Sequence, residues 1–314
     1  MRENKIGILI PTYNSGLLLA ESINSAANAR LPPDAYEIVV SDNASTDGST
    51  ESLPARDAQS VPITLHRNAE NIGRVENWNR ILELAEGMEF AHVMFLMAGD
   101  LIRGDGVVAL RERMIRADAA LGFASYKIIG EDRKPTRIAR RLIWPEDEAI
   151  SAQRFLAQTL SAGAAIFGPL GANLYNLRAA RLHFDPADAT HTDQYATSLF
   201  LHAANRPVVY LDRPITQWRE RAGRFHNSMD FLQRLENDLA LIERVAKETG
   251  VEIDYRKILS TFLLRILFHA RGNPLKTRSY WNSFLCKSKP ISPPWIVRLL
   301  TRQLLYKTPW RIAI

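Results

Sequence analysis

Cysteine is nearly absent: Cys286 is the one thiol in 314 residues. A lone thiol excludes an intrachain disulfide and a cysteine-built zinc cluster, and it fits a reducing compartment, the cytoplasm. No apolar run reaches the ~18 residues expected of a membrane-crossing helix. Residues 1–5 lead straight into a strand-like segment with no apolar leader core, so no secretory signal is expected. Acidic residues stop at Asp254, while the stretch beyond carries Arg256, Lys257, Arg265, Arg271 and further cations as far as Arg311. This one-sided tail, in a chain of net charge +6, implies an anionic partner such as phosphate or an acidic lipid surface, or else a solvated helix face. No recognised nucleic-acid module is present, so nucleic acid is not an expected partner. Repeats and low-complexity segments are absent too.

What is present is ordinary globular material, 46% hydrophobic and 24% charged. The length suits one large domain with an appendage, or two modest domains. Its informative part is a set of three apolar runs, each ending in a polar, turn-forming cluster. Ile6-Gly7-Ile8-Leu9-Ile10 is followed by Pro11-Thr12-Tyr13-Asn14. Ile38-Val39-Val40 is followed by Ser41-Asp42-Asn43-Ala44-Ser45-Thr46-Asp47-Gly48. Val93-Met94-Phe95-Leu96-Met97 is followed by Ala98-Gly99-Asp100. If the runs are parallel strands of one sheet, the clusters meet at one edge, and open α/β sheets bind ligands at the carboxyl ends of their strands. The residue types at that edge suit a nucleotide-sugar.

Between the runs lie helical patterns. One starts after residue 14 or 15, capped by Asn14 or Ser15. A second is plausible from about Ser49, and a third spans 75–87. Residues 61–65 read as a strand kept at an edge by Pro62. Such alternation predicts βαβ units and a mostly parallel central sheet flanked by helices. Further on, 107–120 reads as a helix, 123–129 as a strand and 131–141 as a polar, mobile excursion. Ser151 caps a helix over 151–160, residues 206–211 form a strand, and the chain is helical almost throughout from Asp230, first over 231–249.

Individual residues carry more than one reading. The Thr12 hydroxyl and nearby backbone groups suit contact with a base or ribose, but also a plain strand-to-helix loop. Asp42 suits a hydrogen bond from a uracil or thymine N–H, or a bond to its own turn. Asp47 before Gly48 reads as a turn aspartate. Asp100 suits a hard divalent cation beside phosphates, or a turn. Asp193 suits a general base, or an acid favoured by a helix N-terminus. Arg219, Arg221, Arg224 and His226 suit a loop closing over a diphosphate, or a solvated basic loop. Trp295, Arg298, Arg302, Tyr306, Trp310 and Arg311 suit an interfacial helix on an anionic membrane, or a helix packed on the body of the protein.

Together these motifs resemble the inverting glycosyltransferases with the GT-A fold, often called family 2, over about residues 5–228. The resemblance is carried by the Pro-Thr-Tyr-Asn turn, the segment from Asp42 to Ser49, Asn71-Ile72-Gly73, Asn77-Trp78-Asn79 and the strand ending at Asp100. It continues more loosely through 168–178, Phe184-Asp185 and His191-Thr192-Asp193-Gln194. In that family the strand end carries an Asp-x-Asp motif whose last aspartate binds the metal. Here Ala98 replaces the first aspartate and Asp100 matches the last.

The resemblance implies nucleotide contacts at Pro11, Thr12, Tyr13, Asn14, Asp42, Asn71, Gly73, Asn77 and Gly99. It implies Mn²⁺ or Mg²⁺ at Asp100 and His226, diphosphate contacts at Arg224 and His226, and Asp193 as general base, with Asp185 and Asp188 as fallbacks. The expected protein is therefore a GT-A domain over 1–228 and a basic helical extension over 229–314, for which membrane association and packing on the body of the protein are the two readings. The expected reaction moves a sugar from a nucleoside diphosphate, UDP favoured, to a glycan or lipid-linked acceptor in surface polysaccharide synthesis. The expected place is the cytoplasm, peripheral to the inner face of the membrane. A nucleotidyltransferase would need a glycine-rich, cationic phosphate loop that residues 11–16 lack. A non-catalytic nucleotide-sugar-binding scaffold stays open because of Ala98.

Overall fold

The computed structural model describes residues 5–29, 31–32, 34–51, 53, 61–139, 148–163, 168–187, 191–220 and 231–269. The chain opens with a βαβ pattern: β1 (Ile6–Thr12), α1 (Leu17–Ala27) and β2 (Tyr36–Asp42). It continues through β3 (Ile63–Arg67), α2 (Arg74–Gly87), β4 (His92–Phe95), the two-residue β5 (Leu101–Ile102), α3 (Gly104–Ala117) and β6 (Leu121–Ile129). Then follow β7 (Pro135–Ala139), α4 (Ala152–Ser161), β8 (Asn173–Asn176), α5 (Thr192–Ala204), β9 (Val208–Arg219), α6 (Phe231–Thr249) and α7 (Tyr255–His269).

These strands form one nine-stranded sheet in the order β3-β2-β1-β4-β8-β6-β9-β5, with β7 attached to β6. The half that holds the polar clusters is parallel, β1 pairing with β2 and β4 and β2 with β3. The other half is mixed: β8 runs antiparallel to β4 and β6, while β6 and β9 are parallel. The sheet is thus less uniformly parallel than its sequence pattern predicts.

Both faces of the parallel half are covered, which explains why β1 and β2 read as unbroken apolar runs. Ile8 and Ile10 join a cluster with Leu19 and Ile23 of α1 and Leu110 of α3. Leu9, between them, joins the opposite cluster with Ile81 of α2, Phe155 of α4 and Phe200 of α5. A third cluster unites Leu235, Leu239 and Ile242 of α6 with Phe262 and Leu263 of α7, Leu160 of α4 and Tyr195 of α5. The C-terminal helices therefore share a core with α4 and α5. Among the described residues no helix is long and apolar enough to cross a membrane.

Several local expectations are corrected. The N-cap of α1 is Gly16, at φ 52, with no side-chain cap. Asn14 and Ser15 are engaged elsewhere, in bonds to Thr46 N and Thr12 Oγ1. Residues 48–51 make a turn, and most of the stretch expected to be helical from about Ser49, residues 52 and 54–60, lies outside the described residues. The excursion over 131–141 contains a strand, because a turn closed by Gly130 N to Lys134 O (3.1 Å) folds β7 back onto β6. β9 runs on to Arg219, so that arginine belongs to the sheet and not to a loop. Ser151 does cap α4, accepting from Arg154 N at 3.3 Å, and β3 does lie at the sheet edge.

Candidate active site

The pairing register brings the first two polar clusters together. Thr12, at the end of β1, lies opposite Asp42 at the end of β2, and Asp42 lies opposite Arg67 of β3. Asn43 N donates to Thr12 O at 2.9 Å, extending the ladder beyond the strands. The loop after β1 is then stitched to the loop after β2. Asn14 N donates to Ser45 Oγ (2.9 Å), Thr46 N to Asn14 Oδ1 (2.8 Å) and Gly16 N to Asp47 Oδ2 (2.8 Å). Asn14 tolerates its φ of 45° because a short amide side chain suits the left-handed region. Pro11 and Thr12 are buried, whereas the Tyr13 ring stays 48% exposed on the edge.

Asp42 is fully buried, and its carboxylate accepts from Ser45 N and Thr50 Oγ1, both at 2.9 Å. Arg67 Nη1 adds an ion pair at 3.3 Å. The bond to its own turn, one of the two readings of Asp42, is therefore present. Asp47 also bonds its own turn, through Ser49 N at 3.0 Å, and the Ser49 side chain first, then this backbone contact, hold its carboxyl below the ordinary range.

Asn43, which the sequence did not single out, is the hub beside this edge. It donates to Asn71 Oδ1 (2.7 Å) and Gly73 O (3.1 Å), and accepts from Asn68 Nδ2 and Ile72 N (both 3.0 Å). Asn71 and Gly73 are exposed, at the start of α2. Asn77 is buried beneath the edge, its amide spent on Ser41 and Asn68. Such an asparagine cluster has one sequence signal, the recurrence of Asn at 43, 68, 71 and 77 around strand ends.

Asp100 follows β4, the strand on the other side of β1. Its turn is gripped by Ser22 of α1, whose hydroxyl accepts from Gly99 N (2.7 Å) and donates to Asp100 O (2.8 Å). Gly99 takes φ 95 there, a conformation that suits glycine. Asp100 is 1% exposed and its Oδ1 accepts from Arg219 N at 2.9 Å. The Arg219 guanidinium bonds Gly99 O (2.8 Å) and Glu21 Oε2 (2.6 Å), and Glu21 also pairs with Arg133. Arg219, Glu21 and Ser22 are thus the residues that hold the Asp100 turn. Sequence reading missed Glu21 and Ser22, since a serine and an acid inside a helix carry no signal of their partner.

Among the described residues, Asp100 is the carboxylate on the turn that follows β4. Among the described residues no group of three or more His, Cys, Asp or Glu is arranged to hold a metal. Mg²⁺ and related hard ions at nucleotide sites are held by one or two carboxylates with phosphate oxygens and waters. Asp100 fits that mode by donor type. His226 and Arg224, the other residues implied for metal and diphosphate, lie outside the described residues, as does Asp188.

The acceptor-side candidates sit on the segment leading into α5. Phe184 packs edge-on against Trp78 of α2 and Phe95 of β4, with ring centroids 5.3 and 5.6 Å apart. Asp185 accepts from Arg244 of α6 at 3.0 Å, the leading cause of its carboxyl being held below the ordinary range. A carboxylate of lowered basicity, tied to a guanidinium, is the weaker choice for a base. Asp193 is half-buried in the first turn of α5, where its Oδ1 accepts from Gln194 N at 3.0 Å. Its field and burial both push the neighbouring Tyr175 hydroxyl up, burial dominating.

Residues 7–167, just over half of the chain, match Glycosyl transferase family 2. The chain belongs to this family. Among curated relatives, the abequosyltransferase RfbV of Salmonella typhimurium is 40% identical over 83 residues, 26% of this chain and 25% of that protein. TuaG of Bacillus subtilis, provisionally named a teichuronic acid biosynthesis glycosyltransferase, is 25% identical over 130 residues, 41% of this chain and 50% of that protein. This family 2 chain therefore matches between a quarter and a half of the length of these relatives. Among solved structures, S. aureus TarS 1–349 in complex with UDP-GlcNAc has a TM-score of 0.60 at 20% identity, covering 91% of this chain and 76% of that one. The likeness shows the fold: the α/β architecture is that of the GT-A glycosyltransferases.

Proposed function

We propose that this family 2 member transfers a sugar, with inversion, from a nucleoside diphosphate to a hydroxyl of a glycan or lipid-linked acceptor in surface polysaccharide synthesis. The observation that carries the reading is the register Thr12–Asp42 at the carboxyl edge, with the Asp100 turn on the strand beyond β1. Asp42 or the turn it holds reads the base, with Tyr13, Asn14, Asn71, Gly73 and Gly99 on the nucleotide side. UDP is the favoured diphosphate, in keeping with the UDP-GlcNAc bound by TarS. The surface-polysaccharide setting is in keeping with the teichuronic acid assignment of TuaG.

In the reaction, Asp193 removes the proton of the acceptor hydroxyl as its oxygen bonds to the anomeric carbon. The bond from that carbon to the diphosphate breaks on the opposite face, and the diphosphate leaves with the electron pair. Asp100 would hold Mn²⁺ or Mg²⁺, and that ion would neutralise charge on the diphosphate. Arg224 and His226 follow β9 in the sequence and are proposed to add positive charge there.

Thermal-shift titration with UDP, dTDP, GDP and CDP, with and without Mn²⁺, tests this. A ligand of the native state raises the melting temperature by mass action. The expected outcome is a Mn²⁺-dependent shift with one uracil or thymine nucleotide, weakened in Asp42→Asn. No shift with any of the four would overturn the nucleotide site. A second reading, a nucleotide-sugar-binding scaffold, is favoured by Ala98 where the family motif has aspartate. Slow hydrolysis of the donor without acceptor separates the two, because a binder releases no sugar.

The basic stretch 291–314 lies outside the described residues. Its interleaved aromatics and cations support a peripheral site on the inner face of the cell membrane. Removing it should release the protein from vesicles containing anionic lipid; unchanged binding refutes the role.

A further inference from the structure

Helix α6 holds residues on both sides of Asp193, through three of its side chains. Asp238 Oδ1 lies 2.9 Å from His191 Nε2, the two side chains being 15% and 9% exposed. Arg244 donates to Asp185 Oδ2 at 3.0 Å and lies 3.7 Å from the centre of the Tyr195 ring. Glu248 accepts from the Tyr195 hydroxyl. The second oxygen of Asp238 accepts from Arg265 of α7 at 2.6 Å, so the pair is fixed from two helices.

His191 is the N-cap of α5. Its carbonyl accepts from Gln194 N (3.0 Å) and Tyr195 N (2.9 Å), which closes the first turn. Asp193 lies inside that turn, between the two residues that α6 grips by their side chains. The side chain of His191 is therefore anchored to α6 while its backbone sets the start of α5. The nucleotide side is held by other elements, β1, β2, β4, α1 and β9, through the bonds described above.

We propose that Asp238 and Arg244 are positioning residues for Asp193, so that the C-terminal helices set the acceptor half of the reaction and leave nucleotide binding alone. The inference rests on the reading of Asp193 as the base. A base works only within hydrogen-bond reach of its proton, and a misplacement of ~1 Å costs about a hundredfold in rate. The extension is then part of the catalytic machinery.

Asp238→Asn and Arg244→Gln test this in the full chain, with His191→Gln addressing the Asp238 contact from its other partner should Asp238→Asn fold poorly. Hydrogen exchange reads the positioning directly. Amides of residues 194–197 should exchange about tenfold faster, as expected when a local opening is made easier, with residues 6–12 and 36–42 unchanged. Turnover is read as UDP release from UDP-GlcNAc and UDP-glucose, alongside calorimetric binding of UDP with Mn²⁺. Turnover should fall about 10- to 100-fold with the UDP affinity and stoichiometry within about twofold, and neither substitution should lower it further in an Asp193→Ala background.

Unchanged exchange over 194–197 overturns the positioning role, and so does unchanged turnover in the folded variants. A parallel loss of UDP stoichiometry also overturns it, because the substitutions would then be unfolding the protein at large. Full turnover by Asp193→Ala, measured separately, sinks the base assignment and takes the catalytic part of this proposal with it. A parent protein with no turnover sinks the enzymatic reading, and the exchange data still decide whether α6 orders the first turn of α5.

Discussion

Asn79 and Phe184 exchange two hydrogen bonds across 105 residues of chain, Asn79 Nδ2 to Phe184 O and Phe184 N to Asn79 Oδ1, both at 2.8 Å. A side-chain amide thus stands in for a strand partner, satisfying both backbone groups of a residue that is wholly buried. Phe184 in turn packs on Phe95 of β4, and Asp185 follows it towards α5. The pair therefore fastens the acceptor-side segment to α2 and the central sheet. Asn79→Ala leaves two buried polar groups without partners, at a cost of about 2–4 kcal/mol. Urea unfolding would measure this; a loss under ~1 kcal/mol would mean that water or relaxation replaces both bonds.

The sequence made the parallel half of the sheet legible for a physical reason. β1, β2 and β4 are covered on both faces, so they read as apolar runs, and each must stop where the backbone turns into a polar cluster. Asp100 and the Thr12–Asp42 edge were visible on that basis. Contacts made across long separations were not. Arg219 reaches Glu21 over 198 residues and Asn79 reaches Phe184 over 105, and residue spacing reports which face a side chain takes, not which partner it meets. β7 was missed because 131–141 is polar, as a strand at a solvated edge is allowed to be. The grip of α6 on His191 and Asp185 was equally invisible, since the sequence marked 231–249 only as a helix.

Asp100 plays two parts that substitution can separate. Its carboxylate supports the buried Arg219 N–H, so Asp100→Ala removes an acceptor and costs about 1–3 kcal/mol apart from any effect on chemistry. Asp100→Asn keeps an oxygen for that N–H and removes the charge. The proposed cation site predicts that Asp100→Asn melts close to the parent but loses Mn²⁺-dependent nucleotide binding by roughly tenfold or more. Nucleotide binding that keeps its full Mn²⁺ dependence in Asp100→Asn would remove Asp100 from the metal site.

Gly104 begins α3 at a point where a side chain has no room. A Cβ there would lie 2.1 Å from Ala29 O and 2.9 Å from the Leu31 side chain. The backbone after α1 passes over the start of α3, next to β5 and the Asp100 turn. Gly104→Ala forces that backbone aside, and overpacking of this kind costs about 1–3 kcal/mol. A melting temperature equal to that of the parent would show that the crossing yields freely.

His92 opens β4, buried, with Nδ1 unpartnered, and its pKa is pushed down to about 4 by burial first and by Arg111 and Arg178 next. In the unfolded chain the same imidazole takes its proton near 6.5. Between those two values the unfolded state binds more protons, so stability must rise with pH. The contribution is complete above about 6.5, is lost as pH falls towards 4, and does not change further below. At 1.36 kcal/mol per pKa unit the gap is worth on the order of 3 kcal/mol. His92→Gln has no imidazole to protonate and should flatten the acid side of the curve by that amount. Urea midpoints at pH 7 and pH 4.5 for both proteins decide it: the parent should lose more stability than the variant over that interval. Equal losses would mean that the imidazole is solvated enough to titrate normally in the folded protein.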